Sequence, residues 1–324
     1  MNTDNTSRII QLLATPKKAH ELGLSLGISQ VAIHKQLKNL LDRGKIKKIG
    51  SSPHTRYLQS PPLTPPTTTL PQVARQLIES NYLYITPSGQ LLPGVTGFTY
   101  WATQVNHSKN ITKLALDYTE LHTELEKHRQ TNELFNETPK LADTFPDLCL
   151  DVIYCSDFYS LPVFGKTKLG WKILYAKQTQ NRQLTKEIIT TIRPQIHQLI
   201  HTHKITAVGF IPPSIPRAFQ FMDSLKYQLD LTPVLIPIKK IRSGDVIVPQ
   251  KTLGSLSERI LNAQSTIEPS PTPANARILL IDDALGSGAT LQETARKLQV
   301  FKPATIIGYA IVGSYKGFEV IREA

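Results

Sequence analysis

Toward the carboxyl end of the sequence, Ala276-Arg-Ile-Leu-Leu-Ile-Asp282-Asp283-Ala-Leu-Gly286-Ser287-Gly288-Ala289-Thr290 joins an apolar run to two adjacent acids and a glycine-spaced loop. A helical pattern, Leu291 to Leu298, follows directly. A continuous apolar run of this kind reads as a strand covered on both faces of a parallel sheet, and the acids at its end fall at the carboxyl edge, where α/β proteins bind ligands. The amides of Gly286, Ser287, Gly288, Ala289 and Thr290 at a helix N-terminus can chelate a phosphate, and the hydroxyls of Ser287 and Thr290 add to them. Acids beside a phosphate need a different partner, and the two hydroxyls of a ribose supply one. Two rival readings stay open. One is a Walker B strand, although the Gly-rich Lys-Ser/Thr loop it requires is absent from the sequence; the other is a plain strand-to-helix turn.

Weaker constellations lie upstream. Lys239, Lys240 and Arg242 precede Ser243-Gly-Asp-Val-Ile-Val-Pro, a loop whose cations either neutralise a pyrophosphate or are simply solvated. His197, His201 and His203 end a helix expected over Leu184 to Thr202 with one i,i+4 pair, but no nearby acid or cysteine completes a metal site, so they read as surface histidines and no metal ligand is assigned. No pattern forms a Ser-His-Asp or Cys-His triad.

A second set of residues could do recognition rather than catalysis. Residues 1–60 hold ten Lys and Arg against Asp4, Glu21 and Asp42, a net +7 out of +12 for all 324 residues. Apolar spacing predicts three short helices, over Ser7 to Ala14, Lys18 to Leu26 and from Ser29 to a stop at Gly44. On the third, Ile33, Leu37, Leu40 and Leu41 share one stripe, while Val31, Lys35 and Lys38 lie opposite and His34 and Asn39 flank them. The alternation Lys45 to Ile49, the turn Gly50-Ser-Ser-Pro53 and the segment Thr55 to Leu58 read as a basic hairpin.

Length and composition set the frame for both sets. A chain of 36.2 kDa suggests two or three domains. With 40% hydrophobic and 19% charged residues it has material for cores as well as for a polar surface. No run reaches the roughly 18 to 20 apolar residues of a membrane span, and the polar start is unlike a signal peptide. Cys149 and Cys155 are too few for a disulfide scaffold or a four-cysteine zinc site, so a reducing cytoplasm is the expected setting and a membrane partner is not expected. Five prolines between Ser60 and Pro71 mark a spacer. Beyond it we expect a helix over Gln72 to Ser80, a hairpin within Tyr82 to Leu92, and a helix reaching about Phe135. The stripe Ile111, Leu114, Tyr118, Leu121, Leu125 on that last helix either forms a dimer seam or packs on its own domain. The expected organisation is 1–60, a linker 61–71, a connector 72–147 and an α/β parallel-sheet domain 148–324.

Three short helices and a hairpin in some 60 residues resemble the winged helix-turn-helix of bacterial regulators. The resemblance implies contact with DNA, or with RNA or an RNA–DNA hybrid, through Gln30, Val31, His34, Lys35 and Lys38 in a groove and through Lys47, Lys48, His54 and Arg56 of the wing. Use of the module for protein association alone is the competing reading. The segment around Asp282 resembles the binding signature of the type I phosphoribosyltransferases, which implies 5-phosphoribosyl pyrophosphate held with Mg²⁺ and roles for Asp282 and Asp283 at the ribose, while the pairing habit of winged-helix proteins, with the Ile111 to Leu125 stripe, implies a homodimer. Pro212-Pro-Ser-Ile-Pro-Arg217-Ala-Phe-Gln220, together with Gln250-Lys-Thr-Leu253 and Glu258-Arg259-Ile-Leu-Asn262, resembles the ComF branch and nominates Arg217 for the pyrophosphate. Departures are the sequence Arg217-Ala-Phe-Gln where that branch has Arg-Gly-Phe-Asn-Gln, one extra residue between Gln250 and Glu258, and no zinc module in front. The fusion implies a ligand-sensing regulator, similar to purine repressors, or a phosphoribosyltransferase localised to nucleic acid. The latter resembles effectors carried beside reverse transcriptases in retrons, which act in phage defence.

Overall fold

The computed structural model describes residues 3–42, 45–50, 53–59, 69–106, 110–130, 133–241 and 248–315. The Gly44 stop, the centre of the Gly50 to Pro53 turn, the proline run up to residue 68, Arg242 and the loop after it lie outside these residues. The chain divides into two compact units, Met1–Asp117 and Tyr118–Ala324.

In the first unit, helices α1 (Thr3–Leu12), α2 (Ala19–Leu26) and α3 (Gln30–Asp42) are followed by strands β1 (Ile46–Ile49) and β2 (Arg56–Gln59). The strands pair antiparallel from Ile46↔Gln59 to Ile49↔Arg56. The stripe on α3 is the reason these pieces stay together: Ile33, Leu37 and Leu40 pack with Ile9, Leu13, Leu22, Ile46 and Tyr57 in one core. Gly27 ends α2 at φ 64, a left-handed position that glycine occupies without steric cost. Ser29 Oγ then accepts the amide of Ala32 to start α3. Helix α4 (Gln72–Asn81), the hairpin β3 (Leu83–Ile85) with β4 (Leu91–Pro93) and helix α5 (Gly94–Tyr100) follow. Their aromatics cluster, with Phe98 edge-on to Tyr82 at 5.1 Å between ring centroids.

Helix α6 (Ile111–Lys127) runs through the division between the units. It stops eight residues short of Phe135, because Phe135–Asn136 is strand β5, paired antiparallel with the next strand. Tyr118 of its stripe is buried and meets Phe164 edge-on at 5.2 Å, so this part of the stripe packs on its own chain.

After β5 come α7 (Thr138–Thr144), β6 (Val152–Phe158), the hairpin β7 (Ser160–Leu161) with β8 (Gly165–Lys166), α8 (Lys168–Gln178), α9 (Arg182–Thr202), β9 (Ala207–Phe210) and α10 (Phe221–Leu229). The unit is completed by β10 (Val234–Ile236), β11 (Ile238–Lys240), α11 (Leu256–Thr266), β12 (Ile267–Pro269), β13 (Arg277–Leu285), α12 (Ala289–Gln299) and β14 (Thr305–Gly313). Six strands form one sheet in the order β10-β9-β13-β14-β6-β5, parallel except for β5. The two faces divide the apolar run by period two: Leu279 and Ile281 face α8, α9 and α10, while Ile278 and Leu280 face α7 and α12. The architecture is mixed α/β around a parallel-rich sheet. Strand β5 and helix α7 belong to this sheet body, which therefore begins upstream of residue 148. A two-residue strand and a seven-residue helix carry too little periodicity to be read beforehand.

Candidate functional site

Strand β13 continues through both acids. On one side it stays paired with β14 as far as Leu285↔Gly313, whereas on the other its pairing with β9 stops at Ile281↔Phe210. Asp282 and Asp283 thus stand beyond the end of β9, beside the loop that leaves it, and a cleft opens there with a cavity volume of about 210 Å³. Its walls include the loop residues Ser214 and Arg217, Lys177 at the end of α8, Lys240 of β11, and the segment Gly286 to Thr290.

Period two sends the adjacent acids to opposite faces of the sheet. Asp283 forms an ion pair with Lys177 at 2.6 Å. Asp282 Oδ1 accepts the amide of Asp283 at 2.7 Å. Burial first, and the neighbouring Asp283 second, push the Asp282 carboxyl up to about 7, against the opposing pull of the Asp283 amide and of Lys177 and Lys240. The pair is therefore not equivalent: Asp283 is paired with a cation, whereas burial and its neighbour raise the proton affinity of Asp282.

Gly288 caps α12 at φ 78. A Cβ there would also lie 2.5 Å from Leu141 Cδ2 of α7. Intrahelical bonding begins only at the Gln292 amide, which donates to Gly288 O, so the first-turn amides have no helical acceptor; the Ala289 amide donates to Ser287 Oγ at 3.4 Å, and Ala289, Thr290 and Leu291 line the cleft. Replacing Gly288 by Ala is expected to lower stability by about 1–3 kcal/mol, the cost of a left-handed residue plus the displaced leucine, measured as a shift of the urea midpoint at unchanged slope.

Of the residues nominated from sequence, Asp282, Asp283, Gly286, Ser287, Gly288, Ala289, Thr290 and Arg217 all line this one cleft. Arg217 donates to the carbonyl of Lys177, which ties the loop after β9 to the end of α8. Lys240 enters the cleft and donates to Ser214 Oγ at 2.9 Å, whereas its strand neighbour Lys239 is exposed. Lys177 joins them from a part of the chain with little sequence signal, a lone cation on the otherwise apolar face of α8. The Gln250 to Asn262 stretch proves to be a lock. Arg259, 4% exposed, donates from Nε and Nη2 to Leu253 O at 3.1 and 3.0 Å, and its carbonyl accepts Gln250 Nε2 at 2.8 Å. Gln250 Oε1 is buried without a hydrogen-bond partner among the described residues, on a side chain that lines the cleft.

In the first unit Gln30, Val31, His34, Lys35 and Lys38 are all exposed on α3, Val31 by 81%. Lys47, Lys48, His54 and Arg56 are exposed on the hairpin, with Arg56 also donating to Pro16 O at 3.4 Å. His197 and His201 are exposed and His203 packs on Tyr154 at 5.9 Å. Among the described residues no group of His, Cys, Asp or Glu is arranged to hold a metal ion, and no helix is long and apolar enough to cross a membrane.

No family model and no curated protein matches the chain. Solved structures similar to it include a hypoxanthine phosphoribosyltransferase from Staphylococcus aureus, 18% identical over 43% of this chain and 67% of that one with a TM-score of 0.27. Another is an adenine phosphoribosyltransferase, 14% identical over 45% of this chain and 78% of that one with a TM-score of 0.30.

Proposed function

We propose that the sheet body binds 5-phosphoribosyl pyrophosphate with Mg²⁺ and that the first unit, as a winged helix, binds nucleic acid. The carrying observation is the convergence of an acid pair, a helix-terminal amide loop and three cations on one cleft. The 5-phosphate suits the amides of Gly286 to Thr290, with the hydroxyls of Ser287 and Thr290. The ribose hydroxyls suit Asp282 and Asp283, with the orphaned Gln250 Oε1 as a further acceptor. Lys177, Lys240 and Arg217 face the remaining space, and their charge matches a pyrophosphate; Mg²⁺, bound with that ligand, would supply further neutralisation of the leaving group. The lock formed by Gln250, Leu253 and Arg259 is the ComF-like part of the reading, since it fastens one cleft wall to α11.

On this reading the chain is a ligand-sensing regulator or effector. Saturating 5-phosphoribosyl pyrophosphate is then expected to change nucleic-acid affinity by about 5- to 150-fold, with the reciprocal change in ligand affinity, measured by anisotropy and calorimetry. Two affinities that ignore each other remove the sensor. One observation favours a catalytic alternative, a phosphoribosyltransferase localised to nucleic acid: a buried carboxyl whose proton affinity is raised stands next to a second acid paired with a lysine, an arrangement that suits proton transfer. Isotope-labelled 5-phosphoribosyl pyrophosphate, incubated with the protein, nucleic acids and nucleotides, separates the two. Retention of intact ligand supports the sensor, release of pyrophosphate supports the enzyme, and failure to bind at all overturns both.

A further inference from the structure

Phe158 to Lys186 holds Lys166, Lys168, Lys172, Lys177, Arg182 and Lys186 and not one acid, so this stretch and residues 1–60 together more than account for the net charge of +12. Its centre is α8, which begins where Thr167 Oγ1 donates to Phe158 O at the end of β6 and finishes where Lys177 reaches Asp283. With β14 lying between β6 and β13, the helix crosses the carboxyl edge of the sheet and terminates at the cleft. At 100° per residue, Lys168, Trp171, Lys172 and Tyr175 fall within one arc of roughly 100°, opposite the buried Gly170 and Ile173.

On that arc the half-buried Trp171 and Tyr175 stack with centroids 5.8 Å apart and planes at 20°, Tyr175 also packing against the core between the sheet and α9, so that Trp171 is the more outward of the two rings. Lys166 Nζ sits 4.9 Å from the Trp171 centroid. Lys172 is partly neutralised by Glu187 at 2.9 Å. Aromatic planes in a row, bordered by cations that outnumber the one acid paired with Lys172, match the chemistry of a strand whose bases are unpaired and whose phosphates run alongside, since a duplex keeps its base faces hidden. We propose that the outer face of α8, with Lys166 beside it, binds single-stranded nucleic acid. The inference rests on the nucleic-acid half of the proposed function and extends it from the first unit to the sheet body.

The test uses the full chain, in parallel with a form carrying Lys35→Ala, Lys38→Ala, Lys47→Ala and Lys48→Ala, so that contacts through α3 and the hairpin are removed. The probe is a 20-nucleotide oligothymidine with scattered 5-iododeoxyuridine. Photocrosslinks are expected within residues 166–177 in both forms, and Tyr175→Ala should weaken oligothymidine binding by roughly 5- to 100-fold. Tyr175→Phe, which keeps ring and packing, should weaken it by less than about threefold. Of the two tryptophans, Trp101 is 6% exposed, so quenching of emission on titration reports mainly Trp171, and Trp171→Phe should abolish it. Crosslinks elsewhere only, or equal affinity for Tyr175→Ala and wild type, overturn the inference while leaving duplex binding through α3 to stand. Duplex binding that survives the four-lysine change instead overturns the assignment of the first unit.

Discussion

Replacing Asp282 and Asp283 together by Ala is expected to reduce affinity for 5-phosphoribosyl pyrophosphate by roughly 10²- to 10⁴-fold in calorimetry, with the sheet body still folded. Each acid is proposed to accept one ribose hydroxyl, and a hydrogen bond to a charged group is worth about 1.5–3 kcal/mol. At 1.4 kcal/mol per factor of ten, two such bonds give this range. Repulsion between the acids and the ligand's phosphates works in the opposite sense. It is already weakened, because Lys177 pairs with Asp283 and Lys240 stands in the same cleft. Equal affinity in wild type and double variant would remove the ribose contact from the proposal.

The single variants separate the two acids by stability. The folded-state pKa of Asp282 is raised above its value of about 4 in an unfolded chain, so between pH 4 and 7 the folded form keeps a proton that the unfolded form releases. Stability from this group is therefore full below pH 4, falls as pH rises through the window, and is lowest above 7. Asp282→Asn keeps the oxygen that accepts the Asp283 amide and has no charge to bury, so it should raise Tm at pH 8 and leave it unchanged at pH 4. Asp283→Asn breaks the pair with Lys177 and should lower stability slightly, by about 0–1 kcal/mol for a pair that remains partly exposed. Thermal melts moving the same way for both variants at pH 8 contradict this division of labour.

How much of the site could be read in advance follows from where its parts lie along the chain. The acids, the loop and the helix behind them are contiguous, so strand period, glycine spacing and helix start reinforce one another within 25 residues. Lys177 and Lys240 arrive from elements more than 40 residues upstream, and only the crossing of α8 over the sheet edge brings Lys177 to Asp283. The same limit applies to Gln250 and Arg259, whose spacing resembles a family marker but whose role, fastening residues 250–253 to α11, depends on bonds that no periodicity encodes. The core stripe of α3 is the opposite case. Ile33, Leu37 and Leu40 are legible because one helix turn after another repeats the same buried side, which also leaves Val31, Lys35 and Lys38 to the solvent.

Those outward cations carry the second large effect. Changing Lys35, Lys38, Lys47 and Lys48 to Ala is expected to flatten the salt dependence of duplex binding by roughly three to four logarithmic units, about 0.9 for each phosphate no longer neutralised. All four side chains are exposed, and the apolar partners of their helix and hairpin lie on the other side, so the core of Ile9, Leu22, Leu37 and Tyr57 should survive the change. Affinity at low salt should fall steeply while affinity at high salt changes little, because the missing contribution is counterion release. Lys113→Ala, which removes an exposed cation of α6 outside both recognition elements, should leave the slope as it was. Gel-shift series from about 50 to 300 mM salt measure this directly. If the slope holds when four lysines are gone, the charge of the first unit serves solubility or a protein partner, and its exposed helix face is not a nucleic-acid interface.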